Sequence, residues 1–217
     1  MAENTMTIDQ SEASGRVAAG LRRTPGAHLA AEMAEVGERS QGDVTLRELS
    51  FPVQLGLRAR PGSASATALE GVLGAPLPTG HGRVTGDQDG MHVLWLSPDE
   101  FLAVDLSREQ VPGEGRDLED ALEGLPGQVV DLSANRTVLD LSGPRVRDVL
   151  DKGCHADLHP RAFEVGTAIV TQLGLVPVIL HRYADSGYRV YPRASFADYL
   201  VRWLLDAAEE FCHEEVL

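Results

Sequence analysis

The sequence predicts an α+β fold: antiparallel-rich sheets with helices packed on them. Three observations predict it. Short apolar alternations of strand period are interleaved with runs of helical period. Their order is strand, helix, strand, strand, helix, once over Leu57 to Leu125 and again over Val138 to Phe211. Turn signals join apolar runs at corresponding places in the two halves, Ser97-Pro98-Asp99-Glu100 in one and Ala184-Asp185-Ser186-Gly187 in the other. Units of this kind build antiparallel sheets with helices on one face. We read a single domain over residues 21–213, made of two pseudo-repeats at about 44–125 and 129–211. Residues 1–20 are polar and without periodicity, which predicts a disordered arm.

The elements follow in order. Thr24-Pro25 has a cap residue before Pro and predicts a helix start, with Leu29, Met33 and Val36 at helical spacing and Gly37 as its stop. Val44, Leu46 and Leu49, then Val53, Leu55, Leu57 and Ala59, alternate as strands. Ser63 can cap a helix over Ala64–Leu73. Met91–Leu96 and Phe101–Leu106 form a hairpin. Asp117–Leu125 is a short acidic helix carrying Leu118, Leu122 and Leu125. Val129–Leu132 and Thr137–Leu141 are strands, and Pro144 opens a helix that ends at Gly153. Thr167–Leu173, Val176–Arg182 and Tyr188–Tyr191 are strands. Ser195 caps a final helix, Phe196–Phe211, whose Leu200, Trp203, Leu204 and Ala207 form an apolar stripe.

Composition narrows the function. The 217 residues are 43% hydrophobic and 24% charged, the profile of a globular chain with a sizeable core. Thirty-three acids against nineteen bases give a net charge of −14, which repels a phosphate backbone, so no nucleic-acid partner is expected. Acids concentrate at Asp87–Glu123, eleven against two bases, either as a solvated face or as a patch for a basic partner surface. No apolar run approaches the roughly 18–20 residues of a membrane span. The first residues have no secretory apolar core, and Cys154 and Cys212 are too few for a disulfide framework. The chain is therefore expected in the cytoplasm.

The chemistry-bearing residues form no convincing constellation. Cys154, His155, Asp157 and His159 are the dense group of metal-ligand types, but Gly153 and Pro160 bracket them in a loop. Cys154 has His155 beside it in sequence, which is not the spatial pairing a triad uses. Cys212 lies among acids, which raise a thiol pKa. Ser133 and Ser142 occupy ordinary turns. Gly80-His81-Gly82 precedes a strand pattern, not the helix that a phosphate cradle requires. Trp95 and Trp203 fit core positions, with aromatic stacking as the other reading. No catalytic, cofactor-binding or metal residue is assigned.

One resemblance extends over Leu21 to Phe211. Leu21-Arg22-Arg23-Thr24-Pro25, Val93-Leu94-Trp95-Leu96-Ser97-Pro98-Asp99-Glu100-Phe101-Leu102, Asp131-Leu132-Ser133 with Asn135-Arg136, Leu141-Ser142-Gly143-Pro144, and Gly153-Cys154-His155 through Pro160 carry it by their order and spacing. In these the chain resembles the gamma subunit of heterotetrameric sarcosine oxidase. More distantly, Leu139-Asp140-Leu141-Ser142-Gly143-Pro144 and Gly187-Tyr188-Arg189-Val190-Tyr191 look like the folate-binding domain of aminomethyltransferases. The resemblance implies a part in the oxidative demethylation of sarcosine to glycine, with hydrogen peroxide formed and the one-carbon unit passed to tetrahydrofolate. It implies alpha, beta and delta partner subunits that carry FAD, FMN, NAD and zinc, and an accessory chain without a cofactor. A stand-alone folate-binding one-carbon transfer protein is the alternative. No pterin-binding carboxylate can be matched; Asp131 is the nearest candidate, and a turn acid is its other reading.

Overall fold

The computed structural model describes residues 21–212. The predicted arm lies outside the described residues. A 3-10 turn at Ala27–Leu29 leads into α1 (Ala30–Arg39), followed by β1 (Thr45–Glu48), β2 (Pro52–Arg58) and α2 (Ala64–Leu73). Then come β3 (Val84–Gly86), β4 (Met91–Ser97), β5 (Glu100–Glu109), α3 (Arg116–Ala121) and β6 (Gln128–Asp131). The remainder is β7 (Leu139–Ser142), α4 (Val146–Asp151), β8 (Thr167–Leu173), β9 (Val176–Ala184), β10 (Gly187–Pro192) and α5 (Ala197–Ala208). No helix among the described residues is long and apolar enough to cross a membrane.

Two five-stranded sheets result, ordered β3-β4-β5-β2-β6 and β8-β9-β10-β7-β1, with every pairing antiparallel. The α+β class with antiparallel sheets is therefore as expected. The grouping of strands is not. β1, which the sequence places with the first half, pairs with β7 in the second sheet, Leu46 opposite Leu141. β6, placed with the second half, pairs with β2 in the first, Gly56 opposite Val130. The two halves thus exchange edge strands. The cause is burial: Leu46 shares a cluster with Leu29, Met33 and Val36 ahead of it and with Leu139, Leu141 and Val190. β1 goes where its apolar side chain is covered.

Strand alternation builds three layers of core. Val53, Leu55, Leu57, Val93, Phe101 and Ala103 face α2 and α3. Leu139, Leu141, Val178, Leu180, Tyr188 and Val190 face α1, α4 and α5. The opposite phase of each sheet, Leu94, Leu102 and Val104 against Val138, Ala168, Ile179 and Tyr191, closes the seam between the sheets. The helices therefore flank a two-sheet sandwich.

Several element ends move. Gly37 lies inside α1; the stop comes at Gln41 and Gly42, whose φ of 53° and 86° turn the chain left-handed. Thr24-Pro25 does not open the helix, because the Gly26 N–H is taken by the Glu48 carboxylate at 2.9 Å and the chain first makes a 3-10 turn. Ser195 sits within a second 3-10 turn, Ala194–Phe196, and caps nothing. The acidic helix stops at Ala121, and Gly124 follows with positive φ. Ser63 does cap α2, accepting from Ala66 N–H at 3.2 Å.

Candidate functional site

The inner phase of the sandwich seam carries polar residues the sequence reading passed over. β4 places His92 beside Leu94, β9 places His181 beside Ile179, β10 places Arg189 beside Tyr191, and β7 places Asp140 beside Val138. The imidazoles of His92 and His181 stand 5.5 Å apart between centroids, tilted by 39°, and both residues are fully buried. His92 Nδ1 meets Gly90 O at 3.1 Å, and Nε2 lies 3.5 Å from the Tyr191 hydroxyl. Neither ring nitrogen of His181 has a hydrogen-bond partner among the described residues. Burial drives the His92 pKa down to about 4, with the charge of Arg189 adding to the effect. Burial holds His181 well below the ordinary range, helped by His92 and Arg189. Both rings are neutral at pH 7.

Asp140, 5% exposed, takes Arg47 Nη2 at 2.9 Å on one oxygen and faces Arg189 Nε at 3.4 Å with the other. Arg189 continues to Asp89 at 3.0 Å and to Gln88 O, and its guanidinium lies 3.9 Å from the Tyr183 ring centroid. These contacts tie the β3–β4 loop of one sheet to four strands of the other, β1, β7, β9 and β10. A seam of buried, neutral histidines and paired charges joins the sheets. A polar residue on the buried phase of an apolar strand, as His92 is in Met91–Leu96, is the sequence signal that would have found it.

The residues singled out by sequence are scattered among structural tasks. Asp157 Oδ1 accepts the His159 N–H, and His159 Nδ1 accepts the Arg161 N–H, so both shape the loop. Cys154 makes a strand-like bridge to Leu173, and the exposed His155 donates its N–H to Gln172 O. No three His, Cys, Asp or Glu residues gather as a metal site among the described residues. Burial raises the thiol pKa of both Cys154 and Cys212, which leaves them protonated and poorly nucleophilic. Asp131 accepts the Ser133 N–H at 2.9 Å and its hydroxyl at 2.6 Å, a turn closure rather than an open carboxylate. The Ser142 hydroxyl meets that of Thr45 at 2.5 Å. Trp203 lies over Gly153 and Gly174, and Trp95 is half-buried with His81 edge-on at 5.5 Å.

An open cleft of about 230 Å³ lies where the entry to α1 meets the loop after β6. Arg22, Arg23, Arg136 and Phe51 line it together with Thr24 and Ser133. Arg22 stacks on Phe51 at 4.0 Å and donates to Gln110 O at 2.8 Å. Arg136 donates to Tyr191 O at 3.0 Å.

The comparisons with known proteins bear on the whole chain. The model of the "Sarcosine oxidase, gamma subunit family" matches residues 57–210. The chain is 51% identical to sarcosine oxidase subunit gamma of Corynebacterium sp. (strain U-96), covering 100% of both. The chain belongs to the sarcosine oxidase gamma subunit family. Another family member, subunit gamma from Arthrobacter sp., is 48% identical over 100% of both chains. Among solved structures, the heterotetrameric sarcosine oxidase from Corynebacterium sp. U-96, in complex with pyrrole 2-carboxylate, has a chain that superposes with a TM-score of 0.82 at 51% identity. That match covers 91% of this gamma-family chain and 100% of the other. The glycine cleavage system aminomethyltransferase T from Bartonella henselae shares the fold, with a TM-score of 0.55 at 20% identity over 80% of this chain and 48% of that one.

Proposed function

We propose that this chain is the accessory gamma subunit of a heterotetrameric sarcosine oxidase that demethylates sarcosine oxidatively to glycine. The observation that carries this is identity of 51% along the full length to a named gamma subunit. Alpha, beta and delta subunits complete the complex, and these hold FAD, FMN, NAD and zinc. The assembly forms hydrogen peroxide and hands the one-carbon unit to tetrahydrofolate, and it works in the cytoplasm. We assign no catalytic role to any of the described residues. The chemistry of the side chains agrees with that reading. The histidines of the seam are buried and neutral, the thiols are protonated, and Cys154, His155, Asp157 and His159 do not converge as zinc donors.

The stand-alone folate-binding reading rests on the aminomethyltransferase likeness, which at 20% identity speaks to the fold alone. Two measurements test the assignment. The purified chain should produce no peroxide from sarcosine, whereas co-expression with the other three subunits should yield an active complex that contains it. Titration calorimetry of the isolated chain with tetrahydrofolate should release no saturable heat. Turnover by the chain alone would overturn the accessory role, and micromolar folate binding would promote the transferase reading.

A further inference from the structure

The cleft at the entry to α1 is chemically out of character with its chain. The protein carries 33 acids and 19 bases, yet three arginines line this one opening. A fourth, Arg193, forms a backbone bridge to Arg136 and repels its charge. Elsewhere Arg39, Arg47, Arg58, Arg108, Arg182 and Arg189 pair with carboxylates, whereas Arg60, Arg83, Arg116 and Arg161, scattered singly, form no ion pair among the described residues. Among the described residues, no carboxylate lies within ion-pair reach, 4.0 Å, of Arg22, Arg23, Arg136 or Arg193. The two acids whose partners come from around the cleft are already engaged. Glu48 accepts Gly26 N–H and the Thr137 hydroxyl, and Asp131 accepts Ser133 and Gln110.

Two further features point the same way. Arg136 is half-buried, and burial together with Arg193 disfavours its charge. A desolvated cation without a counter-charge is costly, and an anion would recover that cost. Phe51 has φ of 43°, a left-handed conformation rare for a bulky side chain, and its carbonyl accepts the Gln110 N–H at 2.9 Å. That strained turn holds the ring beneath Arg22, whose guanidinium is fixed from the other side by Gln110 O. Each guanidinium carries five N–H donors, and one hydrogen bond to a carbonyl leaves others to spare.

We propose that this cleft binds a small anion through a carboxylate or phosphate group, with Arg136 and Arg22 as its direct ligands and Arg23 at the rim. The volume of about 230 Å³ suits a group of that size rather than a bulky cofactor. The site is independent of the oxidase role. The test is a titration of the full chain with sodium succinate and with sodium phosphate, each against sodium chloride at matched ionic strength, read by calorimetry and by thermal unfolding. The expected result is saturable binding of at least one of the two beyond the chloride background, and which one binds identifies the anionic group. Arg136→Gln should weaken it about tenfold, the loss of one charge-assisted hydrogen bond of ~1.4 kcal/mol. Arg23→Gln should weaken it about threefold; that side chain is exposed, so its variant keeps the test open should Arg136→Gln fold poorly. Titrations indistinguishable from chloride, or both variants binding like the parent chain, would overturn the site.

Discussion

Asp140 is the residue on which the charged seam turns. It lies 5% exposed between Arg47 and Arg189, and Arg189 itself is 5% exposed. Removing one member of a buried pair leaves the other uncompensated. Asp140→Ala should therefore cost about 3 kcal/mol in urea unfolding, whereas Asp99→Ala, at an exposed pair with Arg58, should cost under ~1 kcal/mol. Two glycines make a second contrast. A Cβ on Gly153 would stand 2.5 Å from Trp203 Cζ2 and 3.0 Å from Cη2, so Gly153→Ala must displace a ring that is itself packed, at a cost of about 1–3 kcal/mol. Gly71, in α2, has nothing within 4 Å of that position. Gly71→Ala should stabilise by roughly 0.5–1 kcal/mol through helix propensity. Thermal unfolding of the two variants should move in opposite directions.

Among the elements, α2 has a cap and α5 does not. The Ser63 hydroxyl accepts Ala66 N–H, and Gly74 closes the other end with φ of 67°. Ser63→Ala should cost about 1 kcal/mol, read as a lower urea midpoint at unchanged slope. α5 makes no side-chain cap hydrogen bond; its hold is the buried stripe Leu200, Val201, Leu204 and Ala207. This is why Ser195 can be wrongly placed as a cap while the helix is still rightly placed. A long amphipathic stripe reveals a helix whatever its ends do, but ends depend on which groups lie nearby to take the first N–H donors. β1 and β6 show the same limit in strands. Each is four residues long with one principal buried apolar side chain, Leu46 or Val129, too little pattern to name its partner strand.

For the molecule as a whole, the seam sets the response to acid. His92 has a folded pKa of about 4 against an ordinary 6.5, and His181 is shifted in the same direction. The unfolded chain therefore takes up a proton before the folded one does. Stability is full above about pH 6.5 and falls as pH drops towards 4, by about 1.4 kcal/mol per pH unit for each histidine. For His92 alone the loss approaches roughly 3 kcal/mol. Urea unfolding at pH 7.5, 6 and 5 should show this decline, and His92→Gln should flatten part of it; a level profile would contradict the buried neutral pair. The exchanged edge strands carry another consequence. Fragments ending and starting at residue 126/127 would each lack an edge strand and expose the seam. Each should be insoluble when expressed alone, and the two together should recover a folded complex by native chromatography.

By itself the sequence determined the element content, the antiparallel class and the family. Periods of 2 and 3.6 report directly which residues share a face, and ordered motifs from Leu21 to Pro160 report kinship. It could not determine which face meets which. His92 and His181 lie far apart in the chain and meet only because two sheets stack inner phase to inner phase. The same stacking brings Arg189 to Asp89, and folding brings Arg22 onto Phe51 and into one cleft with Arg136. Alternation is a local property of the backbone, fixed by geometry within a few residues. Strand exchange, the polar seam and the arginine cleft depend on a global balance of apolar burial, which only the folded chain resolves.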